Sequence, residues 1–170
     1  EDVIKAADDA GVAMAFTGLA VALVDTLIPV FIGKLVTLMQ AEDLMTEPFL
    51  CCYSDILFTP GIVEKLKNSS SDLTLGVDTD WLVRYEQRTE HPPDDAEKVL
   101  VEGGFVTRVA RDIDTEQAHG EYIGVAKFSS AGAARLREHY HRCRKAHARK
   151  PFHQARVFEK AYLIQLFQDM

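Results

Sequence analysis

Phe49-Leu50-Cys51-Cys52-Tyr53-Ser54-Asp55 opens the stretch that decides the fold, and Leu73-Thr74-Leu75-Gly76-Val77-Asp78-Thr79-Asp80 closes it. Each is a short apolar run that ends on carboxylates. Between them lies a helix signal: Thr59 at the N-cap, Pro60 at the first helical position, and Ile62, Val63 and Leu66 on one face. Proline suits that first position because its missing N–H would have no helical partner there. Strand, helix, turn (Asn68-Ser69-Ser70-Ser71) and strand predict a parallel βαβ unit, whose strands read as continuous apolar runs because both faces are covered. Cys51 and Cys52 point to opposite faces of the first strand and read as small core residues. Ligands of open parallel sheets bind beyond the carboxyl ends of the strands, where Asp55, Asp78 and Asp80 are expected.

Working outward, residues 1–48 form an apolar N-terminal segment and residues 49–170 an α/β domain. The chain is almost wholly apolar from Gly11 to Val24 and again from Leu27 to Ile32. Asp25, Pro29 and Lys34 interrupt the run of about 18–20 apolar residues that a membrane span requires. A helical segment buried in the core or in an oligomer interface is therefore expected, with a helix from Lys34 to Ala41 leading into the Phe49 strand. No basic region precedes the apolar stretch, so no signal peptide is expected.

On the other side, Leu82 to Lys98 is polar and irregular, and His91-Pro92-Pro93 forces an extended path. Val99 to Val109 reads as a hairpin turning at Gly103-Gly104, and Glu121 to Phe128 as a further strand. Ser129 or Ser130 caps a helix from about Ala131 to His147. Pro151 breaks it, and Phe158, Ala161, Tyr162, Leu166 and Phe167 space out a last amphipathic helix.

The 170 residues, 47% hydrophobic and 26% charged with a net charge of −7, describe one soluble domain and exclude a general nucleic-acid binder. Residues 127–160 are the exception, with ten Lys/Arg against only Glu138 and Glu159. That stretch reads as a solvated basic face or a surface for a phosphate-bearing ligand. Three cysteines make no disulfide framework and suit a reducing cytoplasm.

A strand-end carboxylate such as Asp55 can hold Mg²⁺, a hard ion that prefers oxygen ligands, or can cap a turn; Asp78 and Asp80 carry the same two readings. Arg84, Arg88 and His91 either meet phosphate, which guanidinium forks match, or decorate a solvated loop. Trp81 reads as a core anchor. His139 and Cys143, one helical turn apart, can chelate zinc, but no second ligand pair is legible in the sequence. His139 is expected on the basic face with His141 and His147. No Walker loop, Gly-x-Ser-x-Gly or His-Glu-x-x-His motif is present.

Five separated strings occur together: Tyr53-Ser54-Asp55-Ile56-Leu57-Phe58; Val77-Asp78-Thr79-Asp80-Trp81; Arg84-Tyr85 with Arg88-Thr89-Glu90-His91-Pro92; Ala96-Glu97-Lys98; and Glu121-Tyr122-Ile123-Gly124 with Lys127-Phe128-Ser129. In this order they resemble the nucleotidyltransferases, most nearly the cytidylyltransferases associated with phosphoenolpyruvate mutase in phosphonate biosynthesis. The resemblance covers about residues 35–170. It implies an α/β, Rossmann-like nucleotidyltransferase fold, three-layered around a mixed sheet. It implies transfer of CMP from CTP to a phosphonate or phosphocholine-like acceptor, with Mg²⁺ and release of pyrophosphate. Asp55 would be the catalytic, metal-binding aspartate, and Lys127 a catalytic residue near phosphates. Arg84, Arg88, His91, Glu97 and Lys98 would line the acceptor side, with Asp78 and Asp80 completing the substrate-binding set.

Two elements of the family pattern are not matched. The N-terminal strand with its Leu-Ala-Ala-Gly-x-Gly-x-Arg loop has only Phe16-Thr17-Gly18-Leu19-Ala20 in its place, and the second metal-binding segment is not reached. The fold is accordingly expected to be incomplete or rearranged, dimerising through residues 11–41 to cover an open sheet edge. The alternative to a working cytidylyltransferase is a non-catalytic oligomeric remnant that binds an anionic ligand. A cytoplasmic homo-oligomer is expected, with nucleotide and a small phosphorylated or phosphonate substrate as partners, and neither nucleic acid nor membrane.

Overall fold

A six-stranded mixed sheet forms the middle layer of the computed structural model, which describes residues 13–16, 34–53, 56–86, 88 and 90–170. The strands are β1 (Ala13–Phe16), β2 (Phe49–Cys52), β3 (Leu73–Asp78), β4 (Lys98–Glu102), β5 (Phe105–Ala110) and β6 (Gly120–Phe128). The helices are α1 (Lys34–Leu38), α2 (Pro60–Lys67), α3 (Ser130–His147) and α4 (Leu163–Phe167). Short 3₁₀ turns at Met39–Leu44, Trp81–Tyr85, Pro93–Asp95 and Phe158–Lys160 join them.

The βαβ unit is present, but its strands do not pair with each other. β6 runs antiparallel between them: Phe49 and Leu73 both lie opposite Phe128, and Cys51 and Leu75 both lie opposite Ala126. β2 and β3 therefore point the same way on opposite edges of β6. The apolar run of β2 reported burial on two faces, which is independent of which neighbour supplies the ladder hydrogen bonds, whereas β3 pairs with β6 alone and is half-buried except at Gly76. β4 continues along the β2 edge of β6, with Lys98 opposite Glu121 and Val99 opposite Gly120.

Alternating side chains of β2 divide the core into two layers. Leu50 and Cys52 pack with Val63 and Leu66 of α2. Phe49 and Cys51 face the other way, in a larger cluster with Leu136 and Tyr140 of α3 and Leu163 and Leu166 of α4. Phe49 and Phe128 stack across the strands, ring centroids 4.8 Å apart. The two cysteines thus occupy opposite faces, and the three-layer, mixed-sheet architecture expected from the resemblance is what forms.

Two local departures have simple causes. Residues 13–16, inside the segment expected to be helical, form β1 and pair in parallel with β2. The unpaired edge of β2 offers backbone partners that outweigh helix propensity, and β1 covers in cis the edge for which a second chain was expected. The final amphipathic helix is two pieces, the turn Phe158–Lys160 and α4, separated by extended Ala161 and Tyr162. Tyr162 N donates to Gln165 Oε1 at 2.9 Å and so starts a new helix. The 3–4 residue spacing reported burial rather than helical continuity.

The hairpin forms as expected. Gly103 and Gly104 both have positive φ, 57° and 84°, as the two central residues of a type I′ turn require. Ser129 is the cap of α3, its Oγ accepting from Gly132 N at 3.0 Å. Among the described residues no helix is long and apolar enough to cross a membrane.

Candidate functional site

The site is assembled at the carboxyl ends of β2 and β3. Directly after β2, Tyr53 donates its backbone N–H to the carbonyl of Gly124 at 2.8 Å. Gly124 has φ +77°, and a Cβ there would lie 2.5 Å from the Tyr53 ring. Only glycine tolerates both the conformation and the contact. Here β6 is irregular: Leu75 faces Ala126 whereas Val77 faces Tyr122. That bulge seats the Tyr53 ring, whose hydroxyl donates to Glu97 Oε2 at 3.0 Å.

Glu97 is almost fully buried and receives Arg111 at 3.5 Å on its other oxygen. The hairpin brings the two together: Lys98 pairs with Ala110, so the preceding and following residues, Glu97 and Arg111, flank the same rung. The guanidinium of Arg111 also lies 4.5 Å from the Tyr162 ring centroid. Burial, and next the Glu97 charge, push the Tyr53 hydroxyl well above its usual range, so it remains a donor.

A second cluster sits at the end of β3. Asp78 and Glu121 are cross-strand partners, two carboxylates directly opposite each other, an arrangement that is unfavourable unless countered. Arg84 pairs with Asp78. Tyr85 donates to Glu121 at 2.7 Å, and its hydroxyl is pushed up to about 12 by burial and by that bond. Trp81, only 2% exposed, anchors the turn that carries both residues. Arg88 lies over the Tyr85 ring, 4.3 Å from its centroid.

Between these clusters opens a cavity of about 1020 Å³. Its charged lining comprises Lys65, Arg84, Arg88 and Arg111 together with Asp78, Asp95, Glu97 and Glu121. Tyr53, Tyr122, Ile62 and Ile123 are among its apolar walls. Of the residues singled out in the sequence, Asp78, Arg84, Arg88 and Glu97 converge here. Asp55 lies outside the described residues, as do residues 17–33 that follow β1.

The other four point elsewhere. Asp80 is exposed, and its N–H donates to Asp78 Oδ1 at 3.0 Å. His91 pairs with Asp95 at 3.6 Å on the surface. Lys98 is buried, its ammonium donating to the carbonyls of Pro93 and Asp94 at 3.3 and 3.4 Å. The Lys127 ammonium donates to the carbonyls of Ser69 and Ser71 at 2.9 Å each. Sequence reasoning missed Arg111, Lys65 and Glu121. Counting outward from the Gly103-Gly104 turn places Ala110 opposite Glu97, and the one-residue register shift between Leu100 and Val101 brings Arg111 there instead; no local signal marks the other two.

The mixed sheet, its three layers and the cleft at the strand ends are those of a sugar-phosphate nucleotidyltransferase fold. The inositol-1-phosphate CTP transferase structure from T. maritima superposes with a TM-score of 0.56 at 18% identity, covering 93% of this chain and 60% of that one. A Bacillus anthracis structure assigned as a glucose-1-phosphate thymidylyltransferase, in complex with sucrose, gives 0.51 at 10% identity, covering 79% of this chain and 60% of that one. In sequence, the CTP:phosphoglutamine cytidylyltransferase of Campylobacter jejuni subsp. jejuni serotype O:2 is 27% identical over 84 residues, 49% of this chain and 33% of the relative. The chain thus spans a third of that curated relative and three-fifths of each solved structure. No protein-family model matches it.

Proposed function

We propose that the chain acts as a cytidylyltransferase, transferring CMP from CTP to a small phosphorylated or phosphonate acceptor. An acceptor oxygen would attack the α-phosphorus, the bond to the β-phosphate would break, and pyrophosphate would leave. The observation that carries this reading is the cavity whose lining gathers four cationic side chains, Lys65, Arg84, Arg88 and Arg111, with the carboxylates Asp78, Glu97 and Glu121. In-line phosphoryl chemistry needs charge neutralisation and positioning more than a covalent intermediate. Arg111 and Arg88 are presented from separate elements, on which their guanidinium forks can meet phosphates bidentately. The relatives that act with CTP support the choice of nucleotide.

Asp78 and Glu121 offer an oxygen-only donor set of the kind Mg²⁺ takes, and the bound ion would supply charge neutralisation at the phosphates. Asp55 belongs to the same proposal by its place in the sequence after β2.

The test is calorimetry with CTP and Mg²⁺, followed by pyrophosphate release with 2-aminoethylphosphonate, phosphocholine or inositol 1-phosphate as acceptor. Magnesium-dependent release above that of an Asp55→Ala control supports transfer. Binding of CTP without release for any acceptor would instead favour the non-catalytic reading. That second reading has its own observation: β5 is a sheet edge carrying Phe105 at 70% exposure, an invitation to association. Light scattering of the protein and of Phe105→Lys would reveal it.

A further inference from the structure

Away from the cavity, three side chains with metal-ligating atoms converge, and a fourth reaches the carboxylate among them. His139 and Cys143 are one turn apart on α3, His153 lies in the segment after that helix, and Asp169 follows α4. Cys143 Sγ is 3.6 Å from His139 Nε2 and 3.4 Å from Asp169 Oδ2. His139 Nε2 is itself 3.4 Å from Asp169 Oδ2, and His153 Nε2 is 3.2 Å from Asp169 Oδ1. Among the described residues, His139, Cys143 and Asp169 are the one group of this kind whose ligand atoms all converge.

We propose that His139, Cys143, His153 and Asp169 form a structural zinc site. Zinc bonds of about 2.0–2.3 Å in tetrahedral geometry separate neighbouring ligand atoms by about 3.3–3.6 Å. The three distances among sulfur, imidazole nitrogen and carboxylate oxygen already match one face of such a tetrahedron, and His153, held 3.2 Å from Asp169 Oδ1 outside that converging group, would turn inward to take the fourth corner. A thiolate and a carboxylate neutralise the dication, and two neutral imidazoles complete a set of four protein ligands. Four protein ligands leave no open position for substrate, which marks the site as structural rather than catalytic. The ion would tie α3, the segment behind it and the residues after α4 to one point.

Without metal, Asp169 is the hub of a hydrogen-bond cluster, accepting from the thiol and from both imidazoles. Arg142 donates to His139 Nδ1, which holds the ring proton on Nε2. Metal uptake therefore moves that proton to Nδ1, displaces Arg142 and releases the Cys143 proton to solvent. A small cavity of about 140 Å³, lined by Arg135, Glu138, His139, Arg142 and Met170, gives access. It shares no lining residue with the large cavity.

The experiment titrates the chelator-treated full chain with Zn²⁺ and Co²⁺, following heat, thermal midpoint and absorption. One ion per chain, a raised midpoint, and a cobalt spectrum with a thiolate charge-transfer band and intense tetrahedral bands are expected. Cys143→Ser should abolish the charge-transfer band. Asp169→Asn and His153→Gln should each weaken binding by more than about 100-fold, since even outer-shell changes cost 10–100-fold at metal sites. Arg142→Gln should tighten it. Because Cys143 is buried, Asp169→Asn, at a carboxylate 40% exposed, tests the site without disturbing the core. Absence of stoichiometric binding, undiminished binding in Asp169→Asn, or a cobalt spectrum without the thiolate band would overturn the proposal.

Discussion

The hydroxyl of Tyr53 reaches Glu97 at 3.0 Å, joining the end of β2 to the residue that precedes β4. The contact is buried and spans the wall of the cavity. Tyr53→Phe removes one donor from a carboxylate that is 7% exposed. Under-satisfying a buried charged acceptor costs about 1–3 kcal/mol. A loss of that size in urea denaturation is expected, with unchanged m-value, and CTP binding should weaken as Glu97, the partner of Arg111, loses the bond that fixes it.

Gly124→Ala should be worse. It places a Cβ 2.5 Å from the Tyr53 ring at a residue with φ +77°. Strained backbone alone costs about 1–3 kcal/mol, and the ring must also move. Gly61→Ala is the contrast, because nothing lies within 4 Å of its Cβ position near the start of α2. It should stabilise by up to about 1 kcal/mol. Thermal midpoints of the two variants moving in the same direction would refute this account of the bulge.

Lys127→Met tests what its ammonium does. The side chain donates to the carbonyls of Ser69 and Ser71, which shape the turn into β3. Loss of stability by about 1–3 kcal/mol, as for other buried groups left unpaired, is expected with CTP affinity changed little. Arg111→Met should do the reverse of this pattern, costing affinity more than stability. Paired denaturation and calorimetry of both variants separate the two roles.

Alkaline pH should unfold the protein early. Burial pushes the Cys52 thiol from 9.0 up to about 11, and burial with the Glu121 bond pushes Tyr85 from 10.0 up to about 12. Both groups are raised in the folded state, so their contribution is fully present below pH 9 and is lost as pH rises toward 12. Circular dichroism across that window should show falling stability, shifted upward in Cys52→Ala and Tyr85→Phe. At pH 8, thiol reagents should leave Cys51 and Cys52 unmodified until the chain unfolds.

Much of this was legible because the signals were local. The Leu50/Cys52 and Phe49/Cys51 alternation, the Thr59-Pro60 helix start, the Gly103-Gly104 turn and the Ser129 cap each act within a few residues. Partner choice was not legible: β2 and β3 read as neighbours because nothing in either run says that β6 will lie between them. The site was half legible for the same reason. Asp78, Arg84 and Arg88 lie close together in the chain, whereas Arg111 reaches Glu97 only through the hairpin register. Asp169 meets His139 and His153 only after α4 has folded back, so the zinc ligands look like an isolated pair in sequence.

The placement of β6 also dictates an order of events during synthesis. β2 and β3 leave the ribosome about 70 and 45 residues ahead of the strand that must lie between them, and non-local closures of this length slow folding. Until Gly120–Phe128 emerges, β3 has no ladder partner among the described strands. The nascent chain therefore carries an unzipped seam for several seconds at ordinary elongation rates of about 5–20 residues per second. Shortening that interval, by synonymous codons that speed elongation between Asp78 and Gly120, would raise the yield of soluble protein without changing a single native contact.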